Sequence, residues 1–500
     1  MEKKEVSDKR MSSHSTALKS TSIVGGSQFV GILISIVRTK IIAVLIGPSG
    51  VGLIGVFQGI IDLLRNATGF GISFSCVKSI AEASGRNDNQ SISKAITILR
   101  RWVWATGILG MIIGILACEI LSRYSFGDGS FTVSIALISC VLLFNSLQEG
   151  QLGLLQGLRL INKMAKARIL SSLLGLLVTV PIYWFWGIEG IVPALIVNSI
   201  VMLIVSNYFA GKVSWEKSAM SLRQSFSGGL SMAKLGFFIV ISGFGMSATM
   251  YVTRYFLVSH GGMDTVGMFQ AAWNVSNIYV GLILNSMLAD FFPRLTQVNQ
   301  DNELLRKYTN EQCETTFLLG GPMISVILVV LPVVISILYS SEFHDCIRIL
   351  DWQLAAEFIT FMTWPLGVIF LAKGHGHYCV LTDFIWFAIY LLTVFIGWGK
   401  WGVEILGIAV LISNIVKHFV VYLIVRQCYN FSWSRQSIKL ILINGACSIA
   451  CFTILRFVPG DLKYFFAGIV CLALCCFSII ELNKLIDLKD IIKKKIFRKA

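Results

Sequence analysis

Apolar runs of close to twenty residues, separated by short polar segments, recur along the chain from residue 20 to residue 482. About twenty mainly apolar residues suffice to cross a bilayer as a helix. By that measure fourteen spans are predicted, at 20–44, 53–77, 102–121, 132–157, 169–186, 190–210, 231–257, 264–290, 316–338, 350–372, 379–397, 403–425, 440–455 and 464–482. Glycine is frequent (44) and proline scarce (8), as where helix backbones pack closely in lipid. The pattern predicts an all-α polytopic membrane protein.

The polar segments carry the orientation. Assigned to alternate sides, the side of the N-terminus collects 31 of the 42 Lys and Arg, the opposite side collects 5 (Arg123, Arg348, Lys400, Arg456, Lys463), and six lie within spans. Basic loops stay cytoplasmic, so both termini are expected inside and the number of spans even. A missed span would invert every later loop and scramble this asymmetry. Loops on the other side are short, which leaves no large external domain to hold the acceptor and carboxylates of a membrane polymerase or glycosyltransferase.

Composition agrees. The chain is 55% hydrophobic and 14% charged, against about 25% charged in soluble domains. The net charge of +15 is made by loops on one side, which argues against nucleic acid as partner. Most of the twelve cysteines (among them Cys118, Cys140, Cys447, Cys451, Cys471, Cys475 and Cys476) fall inside apolar runs and read as small packing residues. The polar, Lys-containing N-terminus, followed by an apolar run with no small-residue cleavage site, does not read as a cleavable signal. No nucleotide-binding motif and no cofactor signature is present, so neither ATP use nor a cofactor is expected.

The second half repeats the first. Gly55-Val-Phe-Gln58 recurs as Gly267-Met-Phe-Gln270, 212 residues on, while Gly157 and Gly374, Trp184 and Trp401, and Gly190 and Gly407 lie 217 apart. Trp186-Gly-Ile-Glu-Gly-Ile191 is echoed by Trp401-Gly-Val-Glu-Ile-Leu-Gly-Ile408. A unit of six spans, an even number, predicts two pseudo-symmetric six-helix lobes entering the membrane the same way, plus two C-terminal helices, with a site between the lobes near mid-membrane. The expected organisation is a cytoplasmic segment at 1–19, an N-lobe at 20–210, a linker at 211–230, a C-lobe at 231–427, two further helices at 437–483 and a basic tail at 484–500.

Polar residues inside spans are the candidate chemistry. Span 2 carries Gln58, Asp62, Arg65, Gly69 and Ser73 at helical spacing. At an offset of 212, span 8 carries Gln270, Asn274, Asn277, Gly281 and Asn285. Span 1 adds Thr21, Gln28, Ser35 and Arg38, and span 7 adds Ser247, Tyr251 and Arg254. The six intramembrane cations are Arg38, Lys40, Arg65, Lys234, Arg254 and Lys417. Each costs roughly 2.5–3.5 kcal/mol at a helix centre, so they are expected to line water, to meet counter-charges, or, near span ends, to snorkel to the interface. Asp62 is spaced to pair with Arg65, and Asp290 with Arg294. A cationic cavity with the amides of Gln58, Gln270, Asn274, Asn277 and Asn285 suits an anion attached to a sugar, because the planar guanidinium fork matches phosphate. Asp62, Glu149, Glu357 and Asp383 are candidate proton or cation sites, or helix–helix contacts. His375-Gly-His377 reads as a turn rather than a metal pair, and no metal site is expected. The basic tail is expected on anionic lipid, and the segment around 291–312 as a helix lying on the interface.

The chain resembles the Wzx-type O-antigen and lipid-linked oligosaccharide flippases of the multidrug/oligosaccharidyl-lipid/polysaccharide exporter superfamily. The carriers are Ile46-Gly-Pro-Ser-Gly-Val-Gly52, Val266-Gly-Met-Phe-Gln270, Phe292-Pro-Arg-Leu-Thr296 and Ile349-Leu-Asp-Trp-Gln-Leu354, in order over nearly the whole chain. The resemblance implies a V-shaped cavity between two lobes and alternating access. It implies a substrate of undecaprenyl-pyrophosphate bearing an oligosaccharide repeat unit, moved from the cytoplasmic to the periplasmic leaflet of a bacterial inner membrane. It places basic side chains in the cavity at Arg38, Arg65 and Arg254, with membrane lipids, a polysaccharide polymerase and chain-length proteins as partners. Two rivals stand: a cation-coupled drug antiporter of the same superfamily, and a membrane polymerase or ligase.

Overall fold

The computed structural model describes residues 2–85, 88–213, 215 and 220–485. The side chains of 2–29, 72–74, 78, 82, 85, 231–236, 239, 278–279, 282–283, 285–286, 289 and 485 lie outside the described residues. Among the described residues all regular structure is helical: α1 (Glu2–Thr68), α2 (Ile72–Gly85), α3 (Asn89–Leu116), α4 (Cys118–Phe126), α5 (Thr132–Gly157), α6 (Ile161–Trp186), α7 (Ile191–Gly211), α8 (Leu222–Gln297), α9 (Asn302–Leu338), α10 (Cys346–Ala372), α11 (Gly376–Trp401), α12 (Ile405–Tyr429), α13 (Arg435–Phe457) and α14 (Leu462–Leu485).

Two of these helices are double. The chain leaves helical geometry at Gly47 (φ 62°, ψ −171°) inside α1 and at Gly262 (φ 77°, ψ 174°) inside α8. Both conformations are open to glycine and strained for other residues. In α1 the next residue, Pro48, has no N–H to continue the ladder. Counting each arm of α1 and α8, and setting aside the short α2 and α4, the helices supply the fourteen spans expected.

Three boundaries differ from expectation. The span at 53–77 breaks at Thr68, where Phe70 (φ 49°) and Gly71 (φ 63°) turn the chain before α2. The stripe from Gln58 to Ser73 is therefore not one helix face, and the side chain of Ser73 lies outside the described residues. The span at 102–121 breaks at Ala117, which separates α3 from α4. The segment around 291–312 is no separate interfacial helix: it is the end of α8, a turn, and the start of α9, whose first amides at Glu303 and Leu304 are capped by the Asp301 side chain. All twelve cysteines are free thiols. The tail lies outside the described residues.

The chain separates into two compact units, Met1–Gly267 and Met268–Ala500. The division falls beyond the 211–230 linker, so the first arm of α8 packs with the first unit. One tie is Arg101 of α3, which donates to the backbone oxygens of Met220 and Ser221 and to Ser225 Oγ. Beside it Trp102 Nε1 donates to the Ser225 oxygen at 3.0 Å.

The internal repeat has a single register of 215 residues. Gly47 matches Gly262, Arg159 (φ 55°) matches Gly374 (φ 76°), and Gly187 (φ 54°) matches Gly402 (φ 52°). Both α6 and α11 follow it at each end. The offsets of 212 and 217 drawn from short peptides are corrected: in the 215 register Gln58 corresponds to Trp273, not to Gln270. Arg159 holds a left-handed conformation in which its counterpart is glycine, and such a conformation costs a side-chain-bearing residue roughly 1–2 kcal/mol. Arg159→Gly is expected to raise stability by about 1 kcal/mol, and Gly374→Ala to lower it by a similar amount, read as opposite shifts of Tm in detergent.

Candidate functional site

The second arm of α1 carries the charged chemistry of the first unit. Arg65 Nη2 lies 3.1 Å from Asp62 Oδ1, one turn back on its own helix, and Nη1 lies 3.2 Å from Glu149 Oε1 of α5. All three side chains are between 39% and 48% exposed, so the cluster is open to solvent or ligand. The Asp62 pairing follows from i,i+3 spacing. Glu149 is a long-range partner that ties α5 to α1. Arg65 is thus one positive charge between two negative ones, the Asp62 partner expected from spacing and Glu149 in addition.

The predicted face of span 7 meets the other helices of its unit. Asn66 Nδ2 donates to Ser247 Oγ at 2.6 Å, and Tyr251 and Ser125 share a hydroxyl–hydroxyl bond of 2.8 Å. Arg254, only 6% exposed, packs against Gly59, where an added methyl group would come within 3.1 Å of its Nη1. Gly59 therefore makes room for the guanidinium. Gln58 is exposed on the same arm. Asn66 was missed by the sequence reading; its place one residue after Arg65 was the available signal. Arg38 lies beside Tyr183 of α6, with Nε making no hydrogen bond among the described residues. Lys40 is half-buried further along the same arm. The side chains of Lys234 and Asn285 lie outside the described residues.

The turns at the two kinks meet. Ser49 Oγ donates to Asp264 Oδ1 at 2.5 Å. A methyl group on Gly52 would run into the backbone oxygen of Met263, and one on Gly267 into the backbone oxygen of Pro48. Both contacts follow the 215 register, since Pro48 corresponds to Met263 and Gly52 to Gly267.

In the second unit the polar residues interlock. Lys417 Nζ of α12 donates to Asp383 Oδ1 of α11 at 2.7 Å, with both side chains about three-quarters buried (28% and 26% exposed). The sequence placed Lys417 in the cavity and Asp383 among coupling groups; the structure makes them partners that neutralise each other. Next to them His418 Nδ1 meets Thr363 Oγ1 at 3.0 Å. Asn414 Nδ2 donates to Thr360 Oγ1 (2.9 Å) and to the Ala356 oxygen (3.0 Å), while its Oδ1 accepts from Trp386 Nε1 (2.7 Å). Glu357 Oε1 accepts from Ser276 Oγ at 3.1 Å. Gln270 is buried and donates to Asn274 Oδ1 at 3.0 Å, and Asn277 is exposed and bonded to its own helix at the Trp273 oxygen.

A turn occupies 373–375 ahead of α11. His375 Nδ1 bonds Tyr429 OH at 2.6 Å, and among the described residues no cluster of three or more His, Cys, Asp or Glu is placed to hold a metal. Lys373 donates to the Asn299 oxygen (2.5 Å) and to Asn302 Oδ1 (2.8 Å), and burial holds its ammonium below the usual lysine range.

The family described as polysaccharide biosynthesis protein matches residues 41–348, more than half of the chain. A lipid III flippase of Escherichia coli (strain K12) is 24% identical over 370 residues, covering 72% of this chain and 85% of that protein. Among solved structures, lipid II flippase MurJ in an inward closed conformation superposes with a TM-score of 0.69 at 13% identity, over 92% of this chain and 98% of that one. An inward-facing multidrug resistance MATE family transporter of the MOP superfamily does so with a TM-score of 0.64 at 17% identity, over 82% and 94%. At these identities the structures establish a shared fold.

Proposed function

The chain belongs to the polysaccharide biosynthesis protein family, and on that premise we propose that it is a multi-pass membrane transporter, not an enzyme, that flips a lipid-linked oligosaccharide precursor between leaflets. The observation that carries the reading is the similarity to a lipid III flippase over 72% of the chain. In its finer form, the cargo is an undecaprenyl-pyrophosphate-linked repeat unit of O-antigen or a similar surface polysaccharide. It moves from the cytoplasmic to the periplasmic leaflet of a bacterial inner membrane, with both termini cytoplasmic. The pyrophosphate enters against Arg65 and Arg254, with Arg38 and Lys40 adding positive potential, while the exposed amide of Gln58 meets sugar hydroxyls. To bind, a phosphate must displace one carboxylate of the Arg65 cluster. Glu149 is the one to leave, because Asp62 is held next to Arg65 by its own helix. A head group with about two negative charges gains roughly 4.6 kcal/mol moving outward across 100 mV, inside negative.

The test is complementation. Expressed in a strain lacking its own O-antigen flippase, the chain restores glycan on the cell surface; surface glycan that stays absent while the protein is present in the membrane overturns the reading. The MATE-like fold, together with two carboxylates around one arginine, supports a second reading, a cation-coupled drug antiporter. Efflux of a cationic dye by cells that gain no surface glycan decides for it.

A further inference from the structure

Four carboxyls were candidates for coupling transport to an ion, and their surroundings separate them. Asp62 and Glu149 share Arg65, and Asp383 is paired with Lys417. To protonate any of these three is to break an ion pair. Glu357 is different. It lies within the membrane-spanning α10, and the groups that act on it are hydroxyls, Ser276 of α8 and Thr360 of its own helix. Lys417 of α12 is engaged with Asp383 of α11, and Asp351 of α10 lies beside Arg456 and Glu404. His418 of α12 is bonded to Thr363. One turn from Glu357 on α10, the Gln353 side chain is 1% exposed and its amide oxygen and nitrogen have no hydrogen-bond partner among the described residues.

The polarity of this pocket selects its ligand. Asn414 Nδ2 donates into Thr360 Oγ1, whose own proton has the Ala356 oxygen at 3.5 Å as an acceptor, and Asn414 Oδ1 is taken by Trp386 Nε1. Glu357 therefore accepts an O–H proton from Ser276 in this arrangement, and a sodium ion would need that hydroxyl turned to offer a lone pair instead. A carboxyl that, among the described residues, meets donors but no cation inside a membrane protein has both of its protonation states within reach.

We propose that Glu357 is the proton-carrying group of this transporter. It gives up its proton to water in one stage of the cycle and takes one from water in another; only the O–H bond is broken and made. The charged form draws the hydroxyl of Ser276 and so tightens α8 against α10. The neutral form needs an acceptor for its own O–H and loosens that contact. The proposal rests on the flippase reading for what the proton drives, but not for the site itself.

Infrared difference spectroscopy of the purified full-length chain in nanodiscs, titrated from acid to alkaline buffer in potassium chloride, tests it. The wild type is expected to show a carboxylic-acid carbonyl band that vanishes as pH rises. Glu357→Gln loses the band, Glu357→Asp retains one at a changed frequency, and Asp383→Asn leaves the wild-type band in place. A wild-type spectrum with no titrating band removed by Glu357→Gln overturns the proposal, as does a band that responds to sodium chloride at fixed pH instead of to pH. Arg65→Ala is expected to keep the band while losing glycan display, so a failed flippase reading and a failed proton site leave different results.

Discussion

Arg65→Ala is expected to abolish surface glycan in the complementation assay at unchanged protein level, and Arg254→Ala to do the same. Removing Arg65 leaves Asp62 and Glu149 without the cation that holds them both. The cluster goes from one net negative charge to two, and an incoming pyrophosphate meets repulsion where it had a donor fork. Hydrogen bonds to charged groups contribute about 1.5–3 kcal/mol each, and every 1.4 kcal/mol is about tenfold in affinity. Loss of two such bonds is thus a loss of at least a hundredfold. Arg65→Lys keeps the charge without the fork and is expected to fall between. Arg254 fills the space left by Gly59, so Gly59→Leu, which evicts the guanidinium without removing it, is expected to resemble Arg254→Ala. Normal display in both alanine variants removes the anion site; quantitative blotting of surface glycan against membrane protein reads the outcome.

The second large effect is expected at the paired turns. At Gly52 and Gly267 the neighbour that an added Cβ would strike is a backbone carbonyl, of Met263 and Pro48 respectively. A flexible side chain yields to such a contact, but a carbonyl moves only with its helix. Overpacking costs typically about 1–3 kcal/mol, so Gly52→Ala or Gly267→Ala is expected to disfavour the packed turns by roughly 5- to 150-fold. The check is alkylation of Ser49→Cys by a membrane-impermeant maleimide. Labelling slow in the parent and fast in each glycine variant is expected, and equal rates show that the turns do not pack in the membrane.

The sequence made the helices plain because lipid imposes one rule on every span, a length of apolar residues, and because charge alternation checks the count. It also flagged Asp62, Arg65, Glu149, Glu357, Asp383 and Lys417, though not Asn66, Ser125, Ser276 or Thr360, whose hydroxyls and amide carry no charge to mark them. What it did not reveal was which of them meet. Arg65 and Asp62 are spaced to touch on one helix. Nothing local brings Glu149 to Arg65 across 84 positions, or Asp383 to Lys417 across 34. Those contacts follow from helix packing, and they give Arg65 a second carboxylate and Lys417 its counter-charge. The repeat register failed for a related reason. Tetrapeptides such as Gly55-Val-Phe-Gln58 tolerate a slip of a few residues, whereas a backbone turn at positive φ does not, and Gly47 with Gly262 fixes the offset that the peptides blurred.

That offset has a consequence at the turns. Ser49 and Asp264 occupy the same place in the two repeats, and they are bonded to each other. In the isologous interface of a homodimer, a position that touches its own counterpart is one where a residue meets its own kind. With two identical halves the only possible partners there are serine with serine or aspartate with aspartate, a weak pair or a repulsive one. Joining the halves in one chain lifted that restriction, and the duplicated protein could place a donor opposite an acceptor, a bond that a symmetric pair of single-repeat subunits had no means to form.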